Sequence, residues 1–294
     1  MTTRLYFVHV LSPLHAGTGQ GSGVIDLPIA REKATGMPYL PGSSVKGVLR
    51  DKSGDNALTN ALFGPKTENA SDHAGSLHIA DARLLLLPVR SLRGTFAWVT
   101  APYALRRLAR DASDAGLSGA PTVQDLEDAS CDVPNETALK VDLRRNGRTE
   151  SAVVLEDLDL NPRSQQAQAW ATWLSGKIFP ANDTEWPSLF AKRFCIVSDD
   201  VFSFLMTTAI EVIARNRLSE ETKTVAKGAL WYEEALPAES LLYGLATISP
   251  NGRITKDSAT LLSHLNMLAA QALQFGGKAT VGRGLCRMRL LGEG

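Results

Sequence analysis

Apolar positions along this chain fall into two rhythms that change over in short blocks. Leu5 to Leu11, rich in Tyr, Phe and Val, reads as a strand, and His15 to Gly23, with glycines at 17, 19, 21 and 23, reads as a loop. Val24 to Ile29 resumes as a short apolar strand that carries Asp26. Pro38 and Pro41 punctuate the approach to a helix expected to start at Ser44 as its N-cap. Its Val45, Val48 and Leu49 form an apolar face, and Lys46 and Arg50 stand one turn apart on a polar one. Ser76 to Pro88 reads as strand with a bend, Thr95 to Thr100 as another strand, and Pro102 as the first-turn proline of a helix reaching Arg110.

Asp111 to Pro134 is small, polar and acidic, which predicts a surface excursion, and Leu139 to Leu155 reads as a hairpin turning at Asn146-Gly147. Gln165 to Lys177 is a helix, Asp199 or Asp200 caps another through Phe202 to Ile210, and a strand through Val212 to Arg217 leads into the polar stretch Ser219 to Lys227. Gly228 to Glu234 and Ser240 to Ile248 are read as strands paired around Pro237. Leu261, Leu262, Leu265, Leu268, Ala269, Ala272 and Leu273 keep helical spacing up to Gly276, and Leu285 to Leu290 is a closing strand. Strands and helices that do not alternate regularly point to an α+β sheet domain with a decorated periphery.

At 294 residues and 44% hydrophobic content, the chain can bury a large core as one domain with insertions. Cys131, Cys195 and Cys286 lie far apart with no metal-ligand spacing, and neither a signal peptide nor a membrane-length apolar run is evident, so a reduced, cytoplasmic protein with no membrane partner is expected. The 31 basic and 31 acidic residues cancel, so bulk charge does not predict nucleic-acid binding. Charge can still be segregated by face: Gly276 to Gly294 holds Lys278, Arg283, Arg287 and Arg289 against Glu293 alone.

Three constellations can carry chemistry. The first joins the loop His15-Ala-Gly-Thr-Gly, then Asp26, to Pro41-Gly-Ser-Ser-Val-Lys-Gly-Val-Leu-Arg50. Glycines let backbone amides approach phosphate oxygens, and a serine-rich helix start offers hydroxyl donors and a partial positive charge. The second is Phe275-Gly-Gly-Lys-Ala-Thr-Val-Gly-Arg-Gly284, a basic turn with little side-chain bulk. The third runs from Arg215-Asn-Arg217 through Lys227 to Trp231-Tyr-Glu-Glu234, a protruding hairpin with aromatic stacking surfaces. Taken singly, each has a plainer reading as a turn, a helix cap or a solvated loop. Asp72, His73, His78 and Asp81 span a loop and a strand and give no expected metal site.

Taken together and in this order, the stretches resemble the RAMP superfamily of CRISPR effector proteins, and more narrowly the backbone subunit of the type III-B Cmr complex. The resemblance rests on the glycine loops, on Gly23-Val-Ile-Asp-Leu-Pro-Ile-Ala-Arg-Glu32, on Pro41-Gly-Ser-Ser with Lys46-Gly47, on Pro88-Val-Arg-Ser91 and on Arg215 to Glu234. It implies a modified ferredoxin-like, RRM-related core as a single domain over 1–294, with 111–190 a peripheral insertion and 215–234 a thumb hairpin region. Copies would stack along a guide CRISPR RNA beside other Cmr subunits, and each thumb would interrupt pairing with a complementary target RNA. The guide-contacting residues implied are Gly17, Gly19, Ser43, Ser44, Lys46, Arg50, Arg215, Arg217, Lys223, Gly276, Gly277, Lys278 and Arg283.

The resemblance further implies an endoribonuclease with its catalytic aspartate at Asp26 and with His15 and Glu234 as helpers. A divalent cation, Mg2+ or Mn2+, would be held by Asp26 with RNA phosphates completing the site. Whether Asp26 is metal ligand or proton acceptor stays open, and the expected products carry a 2′,3′-cyclic phosphate and a 5′-hydroxyl. Two other readings stand beside this one: a non-catalytic RNA-binding scaffold, and a stand-alone endonuclease that trims precursor guide RNA.

Overall fold

The computed structural model describes residues 1–19, 21, 24–65, 74–145, 147–218, 225–249 and 256–291. The chain opens with β1 (Thr2–Val10), β2 (Tyr39–Leu40), α1 (Gly42–Ser53), α2 (Ala57–Phe63), β3 (Leu77–Ile79), β4 (Ala82–Arg90), β5 (Phe96–Thr100) and α3 (Pro102–Asp114). A middle section follows with β6 (Ser130–Asp132), β7 (Lys140–Arg145), β8 (Arg148–Leu155), β9 (Leu158–Arg163), α4 (Ala167–Ile178), α5 (Glu185–Arg193), β10 (Phe194–Val197) and α6 (Asp199–Thr208). The last third holds β11 (Glu211–Leu218), β12 (Val225–Ala235), β13 (Leu241–Ile248), α7 (Ser258–Ala269), β14 (Ala272–Gln274) and β15 (Leu285–Leu291).

Four of these strands make the heart of the sheet. β1 pairs antiparallel with β15 on one side and β13 on the other, and β13 pairs antiparallel with β4. With α1 between β1 and β4, and α7 between β13 and β15, the order is fourth-first-third-second, the split βαβ arrangement of a ferredoxin-like fold. Successive residues of β1 enter different cores: Tyr6, Val8 and Val10 pack with α1, α2 and α7, whereas Leu5 and Phe7 pack with α3, α4 and α5. Burial on both faces explains why the strand reads as a nearly unbroken apolar run.

Everything from β5 to β12 is inserted between the second and third core strands. β5, β10, β6, β9, β8 and β7 continue the same sheet, so residues 111–190 add strands to it and lay α4 and α5 on one face. Trp170 of α4 and Phe190 of α5 are fully buried there, with Phe190 tilted against Trp98 at 5.2 Å between ring centroids. The hairpin β11–β12 forms a separate two-stranded sheet.

Several local expectations are corrected. Asp111–Pro134 is not all surface, because Ser130, Cys131 and Asp132 are buried as β6, and the Asp132 carboxylate accepts from Gln165 N (3.0 Å) and Gln166 N (2.9 Å) ahead of α4. Helix α1 starts at Gly42 with Pro41 in the cap position and no side-chain cap; Asp81 Oδ1 takes the Gly42 N–H at 2.7 Å instead. Ser198, not Asp199 or Asp200, caps α6, while Asp199 accepts the exposed first-turn N–H of Tyr103 in α3. β12 pairs with β11, not with β13, which belongs to the core. Helical spacing overran at the end of α7: Leu273 is buried from strand β14. Val24 to Ile29 makes only isolated bridges. The hairpin of β7 and β8 turns where expected, with Gly147 at φ 77°.

If α4 is part of the main core, Trp170→Ala should cost about 3–5 kcal/mol, read as a fall in urea or thermal midpoint. An unchanged midpoint would mean that α4 contributes nothing to the cooperative unit.

Candidate functional site

The hairpin organises the region where the two glycine-rich loops meet. At its foot, Leu14 bridges Leu236, and Leu27 bridges Glu233 in parallel, so residues 26–29 lie along the free edge of β12 as the stub of a third strand. Leu27 N donates to Tyr232 O at 3.1 Å and Glu234 N donates to Leu27 O at 3.0 Å. Tyr232 N donates to Asp26 Oδ2 at 2.7 Å, which fixes one carboxylate oxygen. Among the described residues Oδ1 accepts no hydrogen bond, and Asp26 is exposed at the hairpin's foot.

Side chains of a strand alternate between faces, and here that separates two consecutive acids. Glu234 Oε2 accepts from Ile29 N at 3.0 Å, and Oε1 pairs with the Arg31 guanidinium. Arg31 also donates to Met206 O (3.0 Å) and Gly36 O (3.1 Å). Its neighbour Glu32 takes both terminal nitrogens of Arg107 at 2.7 and 2.8 Å, and the Arg107 hydrogen bond, outweighing burial, holds Glu32 below the usual carboxylate range. The segment carrying Asp26 is therefore tied to the hairpin and to α3.

Glu233 points the other way and is 2% exposed. Its Oε1 accepts from Trp231 Nε1 at 2.7 Å and pairs with Lys278 Nζ at 3.0 Å, while Oε2 lies 3.6 Å from Arg215 Nε without a hydrogen bond. Burial pushes this carboxyl up, but the bonds from Trp231 and Lys278 and the charges of Lys278 and Arg215 more than offset it, and the group sits below its ordinary range. Arg283, nearly buried, turns towards Glu211 at 3.8 Å. The C-terminal loop is thus held to the hairpin through acids on both strands.

His15 joins the two loops. Its Nδ1 donates to the Glu234 carbonyl at 2.7 Å, and its own carbonyl accepts from Gly277 N at 2.9 Å. Gly276 has φ 71°, and a Cβ there would come 2.4 Å from His15 O, so the close approach demands glycine. A Cβ on Gly17 would lie 2.5 Å from the His15 ring.

Of the residues expected from sequence, His15, Gly17, Asp26, Arg215, Glu234, Gly276, Gly277, Lys278 and Arg283 come together here. Gly19, at φ 97°, lies in the exposed loop, Arg217 is exposed on the hairpin, and Lys223 lies outside the described residues. Ser43, Ser44, Lys46 and Arg50 ride on α1, which packs against α2, α7 and β3. Lys46 donates to Leu77 O at 2.8 Å and Arg50 to Pro65 O at 2.8 Å, so both cap backbone carbonyls; burial, aided by the Arg50 charge, lowers the Lys46 pKa. Arg31, Glu32, Glu211 and Glu233 were not singled out from sequence. Arg31, Glu32 and Glu233 lie inside the stretches that carry the resemblance, where the catalytic roles fall on Asp26 and Glu234, and Glu211 lies outside them. Among the described residues no three acids, histidines or cysteines stand together as a metal-binding group.

One face of the hairpin carries Arg215 and Trp231, with the exposed Arg217 beyond them at a break in the strand register; the other exposes Val212, Leu230 and Tyr232 beside Asp26. No helix of the described residues is long and apolar enough to cross a membrane.

Comparison with known proteins matches residues 7–287 to the RAMP superfamily model. The chain is 34% identical to the Pyrococcus furiosus CRISPR system Cmr endoribonuclease Cmr4, over 99% of this chain and 96% of that protein. A crystal structure of oligomeric Cmr4 from Pyrococcus furiosus superposes with a TM-score of 0.76 at 28% identity, covering 99% of this chain and 98% of that one. A subunit of a type III-B Cmr-beta complex, solved by cryo-EM bound to cognate target RNA, shares the fold at 17% identity and a TM-score of 0.70, over 99% and 97% of the two chains. With a ferredoxin-like core, an inserted hairpin and a relative matched from end to end, the chain belongs to the RAMP superfamily, and within it to the family of the Cmr4 proteins.

Proposed function

We propose that this chain is the backbone subunit of a type III-B CRISPR ribonucleoprotein: copies pack along a guide RNA and cut the complementary target RNA at regular intervals, with Asp26 at each cut. The observation that carries the reading is the Asp26 carboxylate, held at the hairpin's foot by the Tyr232 N–H at 2.7 Å with its second oxygen available. Support comes from the endoribonuclease named among its relatives and from the oligomeric crystal structure of that relative.

A hairpin that parts guide from target frees one target nucleotide from A-form stacking, so its 2′-hydroxyl can line up with the adjacent phosphorus. Asp26 accepts the hydroxyl proton as the 2′-oxygen to phosphorus bond forms. The phosphorus to 5′-oxygen bond breaks, and the leaving oxygen takes a proton from solvent, giving a 2′,3′-cyclic phosphate and a 5′-hydroxyl. Glu234 and His15 act as positioning groups: the carboxylate of Glu234 is occupied by Ile29 N and Arg31, and His15 is buried against the Glu234 carbonyl. The exposed Tyr232 and Leu230 offer stacking surfaces beside the cut, and Lys278, Arg215 and Arg217 a basic path for the guide.

Among the described residues Asp26 brings one available carboxylate oxygen and no group of three acids, histidines or cysteines that could hold an ion by itself. Mg2+ or Mn2+ would become bound only with RNA phosphates as further ligands, where it would offset the charge that builds on the attacked phosphate.

In the reconstituted complex, Asp26→Asn should slow every regularly spaced cut by at least ~100-fold while size and guide content stay unchanged. Normal cutting by that complex would leave this subunit a scaffold. Chelating divalent ions should stop cleavage although RNA-free protein carries no stoichiometric metal; cleavage undiminished by chelator would remove the ion and leave the proton transfer standing.

A further inference from the structure

Two cations reach the basic face of the hairpin from different parts of the chain, Arg215 from β11 and Lys278 from the C-terminal glycine loop. Their side chains remain about one-third exposed, at 31% and 34%, while the acid between them is 2% exposed. Lys278 holds a left-handed backbone, φ 66°, in a loop closed by Gly284 N donating to Pro13 O at 2.9 Å. Glu233 stands behind both cations, with the Trp231 indole N–H and the Lys278 ammonium on Oε1 and the unbonded Oε2 facing Arg215. A phosphate arriving from solvent meets the outer side of each cation and leaves the carboxylate buried.

Such a site has two opposed properties. The buried acid keeps two mutually repelling cations close together at a set spacing, and it cancels one of their two charges. Without the acid, the pair would attract any polyanion more strongly but would no longer be held in place.

We propose that Glu233 is a positioning residue and counter-charge for RNA binding: it fixes the Lys278–Arg215 pair on the hairpin and weakens its charge-driven grip, so that placement on the RNA is decided by shape and base pairing. This rests on the reading above that the basic hairpin face follows RNA. A neutral total charge is compatible with that role, because a guide-binding subunit that held any single strand tightly would be slow to find its register. Glu211 stands towards Arg283 in a related way at 3.8 Å, but Arg283 is 9% exposed and presents little to solvent.

The test is binding of a labelled single-stranded RNA of unrelated sequence to the purified full chain across a salt series. Each phosphate charge neutralised on a single strand contributes about 0.7 to the slope of log affinity against log salt. Glu233→Gln should bind more tightly at low salt and steepen the slope by about 0.7, Lys278→Gln should lower it by about 0.7, and the double variant should return to the wild-type slope. Should Glu233→Gln alone not fold, the double variant against Lys278→Gln carries the same comparison, with the double steeper. An unchanged or weaker grip in Glu233→Gln, with Lys278→Gln still lowering the slope, overturns the counter-charge. A slope that Lys278→Gln also leaves unchanged overturns the RNA-facing assignment of this surface, and the proposal with it.

Discussion

Neighbouring residues of a β-strand point to opposite sides, and β12 uses that alternation to place two acids back to back. Glu234 gathers the N-terminal segment through Ile29 and Arg31, and Glu233 gathers the C-terminal loop through Lys278. The chain's two ends, more than two hundred residues apart in sequence, are therefore fastened to one hairpin. Removing either acid would leave a partly exposed cation without its carboxylate partner, Arg31 in one case and Lys278 in the other, and would loosen the segment it holds. The carboxylate of Asp26 owes its position to this fastening, since its own bond is to the backbone of the same strand.

The arrangement also accounts for a balance of charge that argued against nucleic acid. The 31 acidic residues that offset the 31 basic ones include Glu233 and Glu211, each set against a cation of the C-terminal loop. The hairpin keeps distinct faces, one with Arg215 and the Lys278 that reaches it, the other with Val212, Leu230 and Tyr232 beside Asp26. A neutral chain can therefore present a basic path and an apolar wedge on the same two strands.

The apolar runs of β1 and β13 make strands of a doubly covered sheet legible, and Pro102 and the Asn146-Gly147 turn mark elements of the insertion, whereas the ferredoxin-like order itself is implied only by the family resemblance. The sequence misled where tertiary contacts outweighed local pattern. Ser130 to Asp132 look polar, but Asp132 is buried because its carboxylate receives two backbone N–H groups. Leu273 fits a helical spacing and a buried strand position equally well. Gly228 to Glu234 had a nearer candidate partner in β13, yet its mate was β11. At the site, the glycine loops and Asp26 stood out by motif. Arg31 and Glu233 did not, since their meaning lies in partners at residues 234 and 278 that no local rule connects. Lys46 and Arg50 read as phosphate ligands, and each also binds a backbone carbonyl, a contact that no local pattern announces.

The most direct test is a structure of the assembled complex with guide and an uncleavable target carrying a 2′-deoxy nucleotide at one cut site. The account predicts that the Asp26 carboxylate faces the backbone of that nucleotide, within reach of its sugar directly or through one ion, while Tyr232 and Leu230 stand against the parted strands. A target strand whose sugar and phosphate at the cut pass far from Asp26, across α1 or another subunit, would contradict it.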